Sequence, residues 1–237
     1  RTYASEVVPR FEENLALLQV DGNPTVFAAN VANPDAPTKI GGFQTLGEAY
    51  ALDLVGDTLF VTTWDNGLYD LNVSNPAAPA LLGKVNTPGR AVDVAVANGY
   101  ALIADDWGGW RKVNVTDPAH PAIIAETITP GEVLQVAVDG DRAVILDNSL
   151  GAFTVDVTDP GQPAIQGRTT GISGAVDQAE DLALFGSHTY AIQGGNVRVM
   201  DIANPSAPTV GNLVTTPGTA RSPVSYTHLR AHETVLD

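Results

Sequence analysis

The sequence predicts an all-β chain folded as a β-propeller of four-stranded antiparallel blades, with about five blades present and the ring incomplete. Three observations predict it. The motif Asn/Asp-Pro-x-x-Pro recurs five times, beginning at Asn33, Asn75, Asp117, Asp159 and Asn204, and its first prolines lie 42, 42, 42 and 45 residues apart. A polar residue stands three places before each motif, at Asn30, Asn72, Asn114, Asp156 and Asp201. A Pro-Gly or a lone Gly follows it, at Gly47, Pro88-Gly89, Pro130-Gly131, Gly171 and Pro217-Gly218. Short apolar runs, alternating or continuous, fill the intervals, and no helical period of 3.6 is present.

Each element of the repeat follows from this punctuation. In the unit 89–127, strand one is expected at Ala91–Ala97 and strand two at Tyr100–Asp105, joined by the turn pair Asn98-Gly99. Strand three is expected at Trp110–Val115, after an Asp- and Gly-rich turn, and strand four at Ala122–Thr127, after the proline motif. Proline lacks an amide donor and fixes φ, so it stops a strand and protects the edge. A meander of this size has two apolar faces and buries neither alone; stacking units face to face buries both. The first unit is expected to be incomplete at its N-terminus.

The residues Asp156-Val157-Thr158-Asp159-Pro160, Asp201-Ile202-Ala203-Asn204-Pro205 and Asp93-Val94-Ala95-Val96 with Ala104-Asp105 resemble the LVIVD-repeat family, from Thr25 to about Ala220. That resemblance implies a propeller and a bacterial or archaeal cell-surface or secreted protein. Leu68-Tyr69-Asp70-Leu71 and Trp110-Arg111-Lys112-Val113 depart from the family's aliphatic third strand.

Composition narrows the partners. With 12 Lys+Arg against 27 Asp+Glu, the formal net charge is −15, which argues against nucleic acid and against anionic membrane surfaces. Hydrophobic residues make up 44%, enough for a packed core, and no apolar run is long enough to span a bilayer. There is no cysteine, so disulfides and thiolate metal sites are excluded. An acidic surface suits a secreted protein that must stay soluble or one that attracts cations, and with Arg1-Thr2-Tyr3 in place of an initial Met the natural start is expected to be missing or processed. The segment 1–223 is expected to be the incomplete propeller. The end of the chain, 224–237, breaks the repeat; Val224 to Thr234 resembles a translated sequencing adapter, so its His228/His232 pair is expected to be a non-native tail and not a zinc site.

In a meander, the turns between strands two and three share an edge with the connections between strands four and one. That edge gathers the ligand-rim candidates Trp64, Asp65 (with Asn66), Arg90, Asp105, Asp106, Trp107, Glu132 and Asp147 (with Asn148). The tryptophans could stack on a sugar or other flat ligand, and the carboxylates could take Ca²⁺ through oxygen. Turn chemistry is the plainer account, since Asp and Asn bond their own backbone in turns. A second set, Asp93, Gln135 and Asp181, occupies one matching strand-one position, with Ala51 in the remaining unit; it is expected to face the channel or to fasten neighbouring turns. His120, expected in a proline-rich turn, and His188, expected in a turn between strands one and two, lie away from the rim, and Gly171-Ile172-Ser173-Gly174 does not make a nucleophile elbow. The reading that follows is a non-catalytic surface or secreted scaffold binding a protein or glycan partner. The alternative is a hydrolase or lactonase-like enzyme with a channel metal held by acids such as Asp93, Asp105 or Asp181.

Overall fold

The computed structural model describes residues 7–10, 15–19, 23–33, 35–159, 161–169, 179–193 and 195–218. The tail 224–237, Gly171–Gly174 and the prolines Pro34 and Pro160 lie outside the described residues. Five antiparallel four-stranded meanders follow one another. The first holds β1 (Val7–Arg10), β2 (Leu15–Gln19), β3 (Thr25–Asn30) and β4 (Thr38–Gln44). The second holds β5 (Ala49–Val55), β6 (Thr58–Thr63), β7 (Gly67–Asn72) and β8 (Ala80–Val85). The third holds β9 (Asp93–Ala97), β10 (Tyr100–Ala104), β11 (Trp110–Asn114) and β12 (Ala122–Thr127). The fourth holds β13 (Val133–Asp139), β14 (Arg142–Asp147), β15 (Gly151–Asp156) and β16 (Ala164–Thr169). The fifth holds β17 (Ala179–Phe185), β18 (His188–Gln193), β19 (Asn196–Asp201) and β20 (Thr209–Val214).

Two expectations are corrected. The first unit is not incomplete: Val7–Arg10 and Leu15–Gln19 supply its first two strands, ahead of the first recognisable motif at Asn30. His188, expected in a turn, opens β18 and is exposed. In the type unit, strand four coincides with the expected span and the other three differ by one or two residues at an end. Asn98 and Gly99 both take left-handed φ, 51° and 79°, as a two-residue hairpin turn requires.

The repeated polar residues build a double turn on each third-to-fourth-strand connection. Asn30, Asn72, Asn114, Asp156 and Asp201 each accept, on Oδ1, the amide two residues on, at 2.8–3.0 Å. Asn33, Asn75, Asp117, Asp159 and Asn204 do the same at 2.9–3.3 Å. The motif therefore works as backbone-capping turn chemistry.

The chain divides into two compact units, Arg1–Thr129 and Pro130–Asp237. In the first, Leu15, Leu17, Val26 and Ala28 pack with Leu52, Leu59, Tyr69 and Leu71 of the next sheet. Ala51, Phe60 and Leu68 pack on the other side with Val94, Ala101, Ile103 and Val113. In the second unit, Val144, Leu146 and Ala152 pack with Leu182, Leu184, Ala191 and Met200. Strand β7 alternates accordingly, Tyr69 and Leu71 toward the first sheet and Leu68 toward the third. Apolar area buried between sheets stabilises the stack at about 25 cal/mol per Å².

A β-bulge recurs between strands three and four in the first four sheets. Ala28, Asp70, Lys112 and Thr154 pair with Gly41, Gly83, Ala125 and Gly167, after which the register shifts. Three of those places are glycine because the next sheet's proline turn descends onto them. A Cβ on Gly83 would stand 2.5 Å from the Pro118 carbonyl oxygen and 2.7 Å from Pro121 Cδ; Gly41 meets Pro76 and Gly167 meets Pro205 in the same way.

Candidate functional site

The edge that carries the turns between strands two and three is built from buried anchors outward. Its anchor position is Thr63, Asp105 or Asp147, each fully buried. Thr63 Oγ1 donates to the Gly67 carbonyl at 3.1 Å, closing its own turn. Asp105 Oδ2 accepts the Gly89 amide at 2.9 Å, and Asp147 Oδ2 accepts that of Gly131 at 3.3 Å. Asp147 Oδ1 also caps its own turn through the amides of Ser149 and Leu150, both at 2.8 Å. The Pro-Gly connections and the Asp-rich turns thus meet within the third and fourth sheets. Asp105 lies 3.5 Å from the buried Arg111, whose other side reaches Glu126 at 3.5 Å and whose Nη1 donates to the Gly108 carbonyl at 2.6 Å. Burial raises the Asp105 pKa despite the Gly89 amide and the Arg111 charge, which favour its ionised form.

Above these anchors, in the first unit, a chain of contacts joins the second and third sheets. The Tyr50 and Trp64 rings lie 4.7 Å apart. The Arg90 guanidinium sits 4.5 Å over Trp64 and 3.5 Å from Asp106. Asp106 is buried and holds a left-handed φ of 50°, a conformation Asp tolerates, and it presents the next residue, Trp107, to solvent. Asp65 is exposed on the neighbouring turn. In the second unit, Glu132 is tied to Asn148 by side-chain and backbone bonds of 2.5, 3.0 and 2.9 Å.

The strand-one candidates start from the same edge of their sheets, Asp93 pairing with Ala104 next to Asp105 and Gln135 with Leu146 next to Asp147. Asp93 Oδ1 accepts the Val94 amide at 2.8 Å. Gln135 is buried at the bulge that opens β13, with Oε1 unpartnered among the described residues. Asp181 is placed on β17 at the same kind of bulge, its side chain lying outside the described residues. The matching Ala51 belongs to the core between the second and third sheets. Among the described residues no three His, Cys, Asp or Glu side chains converge as a metal-holding group, and no helix is long and apolar enough to cross a membrane. His120 lies on the opposite edge, 2.8 Å from Asp117, whose carboxyl its hydrogen bond holds below the ordinary range. That edge also has an open groove of about 270 Å³ lined by Val55, Phe60 and Val96 together with Thr58, Asn98 and Thr116.

Several residues of the site escape a sequence reading. Leu46 and Ile128, on the connections entering the second sheet and leaving the third, are 72% and 73% exposed; with Trp107 at 64% they are the three most exposed large hydrophobics among the described residues. All three lie on the same edge of the first unit. Thr45 fastens that edge, its Oγ1 lying 2.6 Å from the Pro24 and Gly47 carbonyls; in the second unit Thr216 Oγ1 lies 2.8 Å from the Gly195 carbonyl. The signal was present, as a Thr-x-Gly at Thr45, Thr87, Thr129 and Thr216 on the period of the repeat.

A family model described as the LVIVD repeat matches residues 46–87, 88–129 and 177–216, together just over half of the chain. The sheet β13–β16, between the matched segments, has the same strand order and the same bulge. No curated protein matches the chain. Among solved structures, a functionally unknown protein from Desulfotomaculum acetoxidans superposes with a TM-score of 0.69 at 12% identity, over 93% of this chain and 73% of that one. The β-propeller domain of Cps50 (Swd1) from Myceliophteria thermophila gives 0.65 at 11% identity, over 86% and 70%. Apo AztD from Citrobacter koseri gives 0.54 at 15%, over 93% and 62%. At such identities the likeness establishes the fold, a β-propeller of four-stranded antiparallel blades.

Proposed function

This chain belongs to the LVIVD-repeat family, and from that premise we propose that it is a non-catalytic binding scaffold, secreted or at the cell surface, that docks a protein through the edge bearing Trp107. One observation carries the reading. The three most exposed large apolar side chains, Leu46, Trp107 and Ile128, share an edge with the Trp64–Arg90–Asp106 chain. Exposed apolar clusters bordered by polar groups mark interaction surfaces, and Trp and Arg are the commonest anchors in them. Aliphatic Leu46 and Ile128 on the same edge as the tryptophan suit a protein surface better than a sugar, which asks for a ring face and polar groups alone. The net charge of −15 favours a partner presenting basic residues around its apolar anchor. Of the carboxylates that could take Ca²⁺, Asp105, Asp147 and Glu132 brace turns, and Asp106 pairs with Arg90.

The test is capture by the immobilised chain, run against extracellular proteins and a glycan array in parallel. Trp107→Ala is expected to weaken capture of a basic protein about 30-fold or more, the effect of losing a central aromatic anchor. Leu81→Ser, on β8 and away from this edge, is expected to leave it unchanged. Capture that ignores Trp107→Ala would overturn the reading, and a glycan signal abolished by it would reassign the edge to sugar.

A further inference from the structure

One third-strand position changes its chemistry from sheet to sheet. It is the third-strand partner of the bulge residue: Ala28, Asp70, Lys112 and Thr154. In the second unit its use is visible. The Thr154 hydroxyl donates to the Pro205 carbonyl at 2.5 Å, and that carbonyl is the one standing over Gly167. The side chain on one strand and the missing Cβ on its neighbour together seat the next sheet's turn.

In the first unit the equivalent carbonyl, Pro118, stands over Gly83, and the residue paired with Gly83 is Asp70. Asp70 is fully buried, and neither of its side-chain oxygens has a hydrogen-bond partner among the described residues. An ionised carboxylate has nothing to offer a carbonyl, since both only accept; a neutral carboxylic acid has one O–H to give. Among the described residues every nearby cation is engaged elsewhere. Arg111 is committed to Asp105 and Glu126. Lys84 lies over the Tyr69 ring on the opposite face of the second sheet, and Lys112 over Tyr100 on the far face of the third. The other acids nearby are satisfied: Asp53 by the amides of Leu54 and Val96, Asp93 by that of Val94, and Asp117, on the turn itself, by Ala119 and His120.

We propose that Asp70 is a buried neutral acid that donates its proton to the Pro118 carbonyl, locking the second sheet to the third as Thr154 locks the fourth to the fifth, and that loss of this proton loosens the seam. Burial alone pushes the Asp70 carboxyl up to about 7. The lock is independent of the partner proposed above, although the Trp64–Arg90–Asp106 chain crosses the same seam.

The sign of the pH dependence follows. Below the ordinary carboxylate value of 3.8, folded and unfolded chains both hold the proton and the contribution is complete. Between 3.8 and about 7 the unfolded chain releases it while the folded one keeps it, so the contribution declines as pH rises, and above about 7 it is gone. Carbon-13 NMR of the Asp70 carboxyl in the intact chain reads the state directly, with an expected midpoint near 7. Thermal midpoints from about pH 4 to about pH 8 provide the second arm. The wild type is expected to lose ground with rising pH against Asp70→Asn and Asp70→Thr, both of which donate without titrating. An Asp70 midpoint in the ordinary carboxylate range, or one shared pH profile for wild type and variants, would overturn the proposal. If neither variant folds, the wild-type NMR titration decides alone.

Discussion

Glycine at 83 is set by one oxygen. The matching place in the third sheet is Ala125, so the bulge itself accepts a Cβ. What excludes it at Gly83 is the Pro118 carbonyl 2.5 Å away, with Pro121 Cδ and the Ala119 carbonyl at 2.7 and 2.8 Å, all of them backbone or ring atoms that cannot swing aside. Gly83→Ala must therefore push the turn off the second sheet, straining the seam that Asp70 also serves. Overpacking of this kind costs about 1–3 kcal/mol, and urea unfolding is expected to show that loss. A neutral outcome would mean that the turn at 117–121 retreats freely, and the shared-seat account of Gly83 and Asp70 would then fail.

At the scale of elements, the turn between strands three and four is repeated five times with Asn or Asp used interchangeably at two places, because only Oδ1 is employed and both residues carry one. Asn72 shows it: its Oδ1 takes the Ser74 amide at 2.8 Å and the Ser74 hydroxyl at 2.6 Å. Asn72→Ala is expected to cost about 1 kcal/mol and Asn72→Asp nearly nothing, measured by the urea midpoint. This regularity made the strands legible in the sequence, since proline, glycine and Asx residues act on their own neighbours and leave a local signature. The bulge opposite Gly83 and the pairing of Asp70 with it were not legible, because each is fixed by a turn some forty residues later. The edge was partly legible. Trp64, Arg90 and Asp106 fall together because meander turns share an edge, whereas Leu46 and Ile128 read as ordinary strand-end hydrophobics until their exposure is known. The first two strands of the first sheet carry no motif of their own and were hidden for that reason.

Over the whole molecule two electrostatic effects act in the same direction and can be separated. A net charge of −15 makes the folded chain repel itself, the more so as pH rises, and that repulsion acts through solvent over a Debye length. The Asp70 effect is instead a local desolvation, felt by a group with no solvent contact. At about 1 M salt the Debye length falls to about 3 Å, so long-range repulsion is screened while a buried carboxyl is hardly touched. The thermal midpoint of the wild type at about pH 8 is expected to rise on adding salt, and that of Asp70→Asn to rise by a similar amount. The gap between the two proteins, which widens from 3.8 to about 7, is expected to persist in high salt. Were the gap to close with salt, Asp70 would be one more surface-like charge in an acidic protein, and the seam between the second and third sheets would depend on apolar packing and Gly83 alone.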